Sequence, residues 1–478
     1  MDLRLVAPEL AIVLGSLAVF GISLGEGEGR SRLAARVAAA TALLALVLSA
    51  ASLGLGWQGE LFQGACRVDV FSQLFKLFIT LGLAAVVLFG RELKDIRADI
   101  RPEYFFFLLL GGLGLMVLVS SVELITLFVA LELSSYSLYL LVPLREERPG
   151  LRIQMESAAK YVMFGIVSSG ILLFGMSYLF GLTGSTYFRE IAPALAQRWA
   201  DPAAVVGMAL VLVGLFFKLA AFPMHLWAPD VYQGAANETT SFIAGVPKVG
   251  AVAVLIRFLL CTNPSDHTLT VVLITASIAS MFFGNLAALV QKDVKRMLGY
   301  STIAHAGYLL IGLATLRDTG FAAAAFYIFA FVPMGLAGFL VLCHVSWNGE
   351  NVTLDDLSGL RARSPLAALL LGVSMFALAG IPPFVGFTGK FLLLSEALRQ
   401  GFVMLVIVAA LNTAIGIYYY LTVVRVMYFS DPGSRPTVQL DRVTAAVGVI
   451  LVLIVVAMGI MPARLVDMAL AAMRSAAL

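Results

Sequence analysis

The chain has 478 residues, 60% of them hydrophobic and 13% charged, with a mean hydropathy of +0.96. That balance excludes both a soluble globular domain and a disordered chain, and it describes an integral membrane protein. The net charge of +3 leaves no nucleic-acid footprint, so the basic residues report on membrane sidedness.

Apolar runs of about 20 residues, each able to cross a ~30 Å hydrocarbon core as helix, recur along the whole sequence. They predict an all-α protein with spans at 5–24, 33–55, 70–90, 103–120, 122–144, 156–181, 203–235, 239–261, 268–290, 295–315, 319–346, 365–398, 402–429 and 442–461. The count is about fourteen transmembrane helices. The first span follows Met1-Asp2-Leu3-Arg4-Leu5 without a small-residue cleavage site and reads as a retained helix.

Alternate loops differ in basic content. Arg30, Arg32, Arg36, Arg91, Lys94, Arg97, Arg101, Arg145, Arg148, Arg152, Lys292, Lys295 and Arg296 stand on one side, with Arg361, Arg363, Arg435 and Arg442. The other side carries roughly half as many. The positive-inside rule therefore predicts a multi-pass protein of the cell's inner (plasma) membrane with both termini on the non-cytoplasmic side.

Two long spans contain matching interruptions, at Phe222-Pro223-Met224-His225 and at Gly380-Ile381-Pro382-Pro383. Proline removes an amide donor and clashes one turn back. In hydrocarbon the freed carbonyls need partners, so a broken helix belongs where protein or a hydrated cavity encloses it. The breaks fall in the seventh and twelfth spans, which predicts two five-helix repeats. An odd-numbered unit makes them inverted. The expected organisation is a three-helix segment at 1–102, repeats at 103–261 and 268–429, and a C-terminal helix at 430–478. The first three helices and the last are ordinary in composition.

Glu132, Lys218, Lys248 and Lys390 each lie well inside an apolar span. An ionisable group at mid-membrane costs roughly 2.5–3.5 kcal/mol on insertion scales and usually lines a polar pathway. Lys218 is about 22 Å into its helix and Lys248 about 14 Å, by the helical rise. A structural salt bridge or a snorkelling end accounts for any one lysine, but the four together favour moving charge. Burial opposes the charged form of a lone carboxylate or ammonium, whereas pairing restores both, so such groups can exchange protons. Lys218 precedes its break and Lys390 follows Pro383, as inversion requires.

His305 is a candidate relay between Lys248 and Lys390, the alternative being a hydrogen-bonded core histidine. His225, at the first break, reads either as a relay or gate or as a partner for the carbonyls that Pro223 exposes. Glu123, Asp230 and the pair Glu156 and Lys160 read as caps or surface pairs. Trp57, Trp199, Trp227 and Trp347 mark span ends or the break. Gly386-Phe387-Thr388-Gly389-Lys390 lacks the upstream glycine and following Ser or Thr of a phosphate loop. Cys66, Cys261 and Cys343 form no metal-binding spacing and read as buried thiols.

The segment from Phe217 to Ala235, FKLAAFPMHLWAPDVYQGA, resembles the broken-helix signature of the antiporter-like subunits of respiratory complex I. Leu131 to Tyr139, KRMLGYSTIAHAGY from Lys295 and LAGIPPFVGFTGK from Leu378 agree with it, and the resemblance extends over most of 103–429. Length and Lys390 place the chain nearest the N-type members. The resemblance implies that Glu132 and Lys218 are an interacting pair, Lys248 the connecting lysine and Lys390 the terminal proton site. It also implies proton translocation coupled to NADH-quinone oxidoreduction elsewhere in the complex. The expected partners are other membrane subunits, including antiporter-like neighbours, together with lipid and protons. No cofactor is expected on this chain, with flavin and iron–sulfur clusters on other subunits. After Gly234 the sequence departs from the usual proline-containing type, with Ala235-Ala236-Asn237-Glu238-Thr239-Thr240 in its place. The rival readings are an Mrp-type cation/proton antiporter subunit and a passive membrane scaffold.

Overall fold

A computed structural model describes residues 2–27, 29–146, 153–198, 201–262 and 267–476. Arg148, Arg152 and Trp199 lie outside the described residues. Helices α1 (Ala7–Ser23), α2 (Arg30–Gly54) and α3 (Val70–Phe89) come first, with a hairpin of β1 (Gly59–Leu61) and β2 (Cys66–Val68) before α3. Next are α4 (Arg101–Ser120), α5 (Leu124–Leu141), α6 (Ile153–Thr183), α7 (Phe188–Gln197), α8 (Pro202–Leu219), α9 (Trp227–Gly234) and α10 (Asn237–Leu259). The second half contains α11 (His267–Ala288), α12 (Val294–Ala314), α13 (Asp318–Val345), the single turn α14 (Leu360–Arg363), α15 (Pro365–Ala379), α16 (Val385–Arg399), α17 (Val403–Phe429), α18 (Arg442–Ile460) and α19 (Ala463–Ala476).

Among the described residues, 13 helices are long and apolar enough to cross a membrane. The remaining predicted span, 365–398, is divided between α15 and α16. Hydropathy anticipated every crossing but not α7 and α19, which at 10 and 14 residues are too short to span. α19 packs its small buried face, Ala469, Ala472, Met473 and Ala476, against α3 and α13.

Helices α10, α12 and α13 occupy the centre: 94% of the apolar window of each is buried, against 33% for α2 and α18. The polar candidates Lys248 and His305 therefore sit on helices that lipid scarcely reaches. Both broken spans stop in a left-handed residue, Ala220 (φ 60°) after α8 and Gly380 (φ 86°) after α15. At the first break Trp227 Nε1 donates to the Phe217 carbonyl at 2.9 Å, and the Phe222 amide donates to Ser280 Oγ at 2.9 Å. Groups freed by the break are thus satisfied from within the protein, as hydrocarbon demands.

The loops sort as their basic content suggests. Arg145 pairs with Asp95 and donates to the carbonyls of Gln233, Gly234 and Gly349, while Lys94 donates to Ser346 and Arg91 pairs with Asp441. On the opposite face Leu124 bonds Thr186, and Phe188 bonds Val122. Glu123 caps α5 through the Thr126 amide at 2.6 Å. Asp230 joins Lys160 at 2.8 Å to Arg296 at 2.6 Å.

The first three helices differ from their expected ordinary character. Lys76 of α3, 3% exposed, pairs with Glu9 of α1 at 2.5 Å. Asp69, the cap of α3, holds Arg257 of α10 at 3.0 and 3.1 Å. These pairs tie the N-terminal helices to each other and to the centre. Asp69→Asn leaves Arg257 buried without its carboxylate and is expected to cost roughly 3–5 kcal/mol. Thermal unfolding of the purified protein checks this, with Asp69→Asn/Arg257→Met expected to recover part of the loss; an unchanged transition in the single variant contradicts it.

Candidate functional site

Lys248 owes its placement to the residue before it. Pro247 has no amide hydrogen, so the carbonyl one turn back, Ile243, loses its helical partner. Lys248 Nζ fills that vacancy at 3.1 Å and donates to Tyr232 Oη at 2.8 Å. The ammonium site is 2% exposed, and a backbone dipole, rather than a carboxylate, balances it.

Lys390 repeats the device at the second break. From α16 its Nζ reaches back to the carbonyls of Leu378 and Ala379 at 3.2 and 3.1 Å. Those are terminal carbonyls of α15, at the negative end of its dipole. The aliphatic stem crosses Gly380, where an added Cβ would lie 3.0 Å from Lys390 Cδ. The ammonium lies 4.7 Å from the centre of the Tyr308 ring.

Lys218, in the last turn of α8, donates across to α5: Ser135 Oγ is at 2.7 Å and Tyr139 Oη at 3.5 Å. Glu132 instead accepts from Ser169 of α6 at 2.6 Å. The expected pair is therefore not in direct contact, although Glu132 is close enough for its charge to act on Lys218. The physical reason is local: each side chain finds a hydroxyl partner instead, Ser169 for Glu132 and Ser135 for Lys218. Both residues are half-buried.

Two narrow cavities lie beside these groups. One is lined by Ser134, Ser135, Lys218, Trp227, Ile243 and Pro247, which brings Lys218 and the residue whose carbonyl holds Lys248 to one cavity. The other is lined by Ser241, Gly245, Ser301, Thr302, Ser374 and Leu378. Tyr232 Oη, which receives Lys248, donates to Thr302 Oγ1 at 3.3 Å; Leu378 is a carbonyl partner of Lys390. By size the cavities hold about two waters and about one, respectively.

His305 forms a side branch. Its Nδ1 is 2.7 Å from Tyr327 Oη and its Nε2 is 3.0 Å from Tyr420 Oη, which in turn bonds Ser301 at 2.6 Å. His225 stands apart: it is 2% exposed, stacks on Phe222, and neither ring nitrogen completes a hydrogen bond.

Tyr232, Ser301, Thr302, Tyr327 and Tyr420 were not singled out from sequence, because a lone hydroxyl in an apolar run carries no pattern. Lys295, grouped with the loop cations, is 0% exposed and donates to the Ala235 carbonyl at 2.7 Å. The buried thiol reading holds for all three cysteines. Gly380→Ala forces a left-handed alanine against Lys390, with an expected cost of about 1–2 kcal/mol. Gly372→Ala, whose Cβ would meet nothing closer than 3.6 Å, is the control in thermal unfolding; equal stability of the two variants contradicts the constraint.

Residues 121–416 match the family described as NADH:quinone oxidoreductase/Mrp antiporter, TM. The chain is 48% identical over 461 residues to NADH-quinone oxidoreductase subunit N 2 of Opitutus terrae, covering 96% of this chain and 95% of that one. A chain of respiratory complex I from Thermus thermophilus superposes with a TM-score of 0.83 at 30% identity, covering 96% of this chain and 98% of that one. A chain of the Mrp complex from Dietzia sp. shares the fold, with a TM-score of 0.88 at 21% identity and coverages of 100% and 98%.

Proposed function

This chain belongs to the NADH:quinone oxidoreductase/Mrp antiporter family and works as a proton-translocating, antiporter-like subunit of an NADH-quinone oxidoreductase, and on that premise we propose how its buried groups carry the proton. It is a multi-pass membrane protein and a partner within that complex. The proposed path runs from Glu132 and Lys218, through the first cavity to Lys248, then by Tyr232 and Thr302 through the second cavity to Lys390. The supporting observation is that Ile243 and Leu378, carbonyl partners of Lys248 and Lys390, line the two cavities.

Each ammonium is balanced by dipoles or hydroxyls, so a modest change of local potential shifts the proton without breaking a tight ion pair. Quinone reduction elsewhere in the complex supplies that change near Glu132. Glu132 and Lys218 already hold separate serine partners, which favours a switch between apart and paired states. His305 and Tyr420 form an accessory branch at the second cavity. His225, sealed against Phe222 and Phe283, gates the first break rather than carrying the proton.

We assign 103–261 and 268–429 to two inverted half-channels, flanked by 1–102 and 430–478. In support, α4 packs on α5 as α11 packs on α12, and α6 contacts both α8 and α9 as α13 contacts both α15 and α16. The basic-loop face is assigned to the cytoplasm, both termini to the opposite side, and the membrane to the inner (plasma) membrane. Antiporter-like neighbours and lipid cover the outer faces. Redox groups reside on partner subunits, in keeping with the scattered burial of Cys66, Cys261 and Cys343.

Lys218→Met and Lys390→Met, each in an assembled complex, are expected to abolish most quinone-coupled proton uptake by vesicles. Unchanged uptake in both contradicts the path and favours a passive scaffold. Sodium exchange by vesicles without a redox donor would favour the Mrp-type reading.

A further inference from the structure

A buried carboxylate on the basic-loop face has no place in the lysine path. Glu238, in the first turn of α10, is 5% exposed. Its Cγ lies 3.0 Å from where a Cβ on Gly90 would stand, so the glycine that ends α3 makes room for it. Among the described residues it forms no ion pair. Lys295, a cation whose charge acts on it, is committed to the Ala235 carbonyl. A helix N-terminus tolerates a negative charge. The buried Tyr104 hydroxyl lies near enough to feel the Glu238 charge.

Glu238 also lies at one end of a line of exchangeable groups. Ser241, three positions further along α10, contacts Cys343 at 3.7 Å and lines the second cavity. Thr302 lines the same cavity and accepts from Tyr232, which accepts from Lys248. Glu238 and Lys248 are ten residues apart, about 15 Å along the helix, too far for direct transfer. Ser241, three positions from Glu238, and Thr302, bonded to Tyr232, line one cavity between them. Toward the loops, Asp95, Lys94 and Lys295 all act on Glu238, and Asp95 is paired with Arg145.

We propose that Glu238 is the proton-loading group of the basic-loop face, delivering protons to Lys248 through the Ser241–Thr302 cavity and Tyr232. In the delivery step the Glu238 O–H bond breaks and leaves a carboxylate. A cavity water and the Thr302 and Tyr232 hydroxyls each accept one proton and release one. The neutral Lys248 amine forms the final N–H bond and becomes ammonium. The inference rests on the reading in which Lys248 carries protons.

The test uses the whole complex in sealed vesicles, with protons taken up per electron transferred as the readout. Glu238→Gln is expected to lower that ratio roughly tenfold or more, as loss of a positioned proton-transfer group does, and Glu238→Asp to recover part of it. A wild-type ratio in Glu238→Gln alongside a loss in Lys248→Met overturns the role of Glu238 alone. A wild-type ratio in Lys248→Met overturns the path itself. Should Glu238→Gln fail to assemble, redox-triggered infrared difference spectra of wild type and Glu238→Asp decide: a carboxyl C=O band that shifts with the substitution supports the proposal, and no such band overturns it.

Discussion

Hydrocarbon offers no hydrogen-bond partner to a peptide carbonyl, so each place where a membrane helix loses an amide donor must be repaired from within the protein. This chain makes two of those repairs with lysine. Pro247 frees Ile243 and Lys248 takes its oxygen; the break after α15 frees Leu378 and Ala379 and Lys390 takes theirs. The exchange is mutual. A buried ammonium needs acceptors as much as a buried carbonyl needs a donor, and neither side requires a carboxylate.

The rest of the architecture follows from protecting that arrangement. The helices that carry Lys248 and His305, α10 and α12, are together with α13 the most buried spans, and α13 packs against both. Firm ion pairs lie outside the lysine line: Glu9 with Lys76, Asp69 with Arg257, and Asp95 with Arg145. These structural charges are locked in pairs, whereas the charges assigned to transport rest on dipoles and hydroxyls. A proton held by dipoles can be moved by a smaller change in potential than one locked in a close pair.

Much of the scaffold was legible in the sequence because hydropathy has a length scale and proline has a fixed chemical deficit. The fourteen crossings, the two interruptions and the depth of each lysine all depend on position along one helix. Relations between helices were harder to read. Glu132 and Lys218 lie at comparable depths, yet their rotations about α5 and α8 aim them at Ser169 and Ser135. Lys295 sits one residue inside α12, where a loop cation and a core cation look alike. Glu9 and Lys76 were passed over because each stands near a span end, the usual position of a snorkelling charge. The hydroxyl chain of Tyr232 and Thr302 has no signature until the fold brings its members together.

The central claim is that carbonyls freed by proline and by the helix break hold the transport lysines beside small hydrated cavities. A reconstruction of the assembled complex at a resolution that shows ordered water tests it most directly. The expected map has Lys248 Nζ on Ile243 and Lys390 Nζ on Leu378 and Ala379, with water bridging Thr302 toward Leu378. Lysines paired instead with carboxylates, and a dry second cavity closed by Met375 and Phe331, would contradict it.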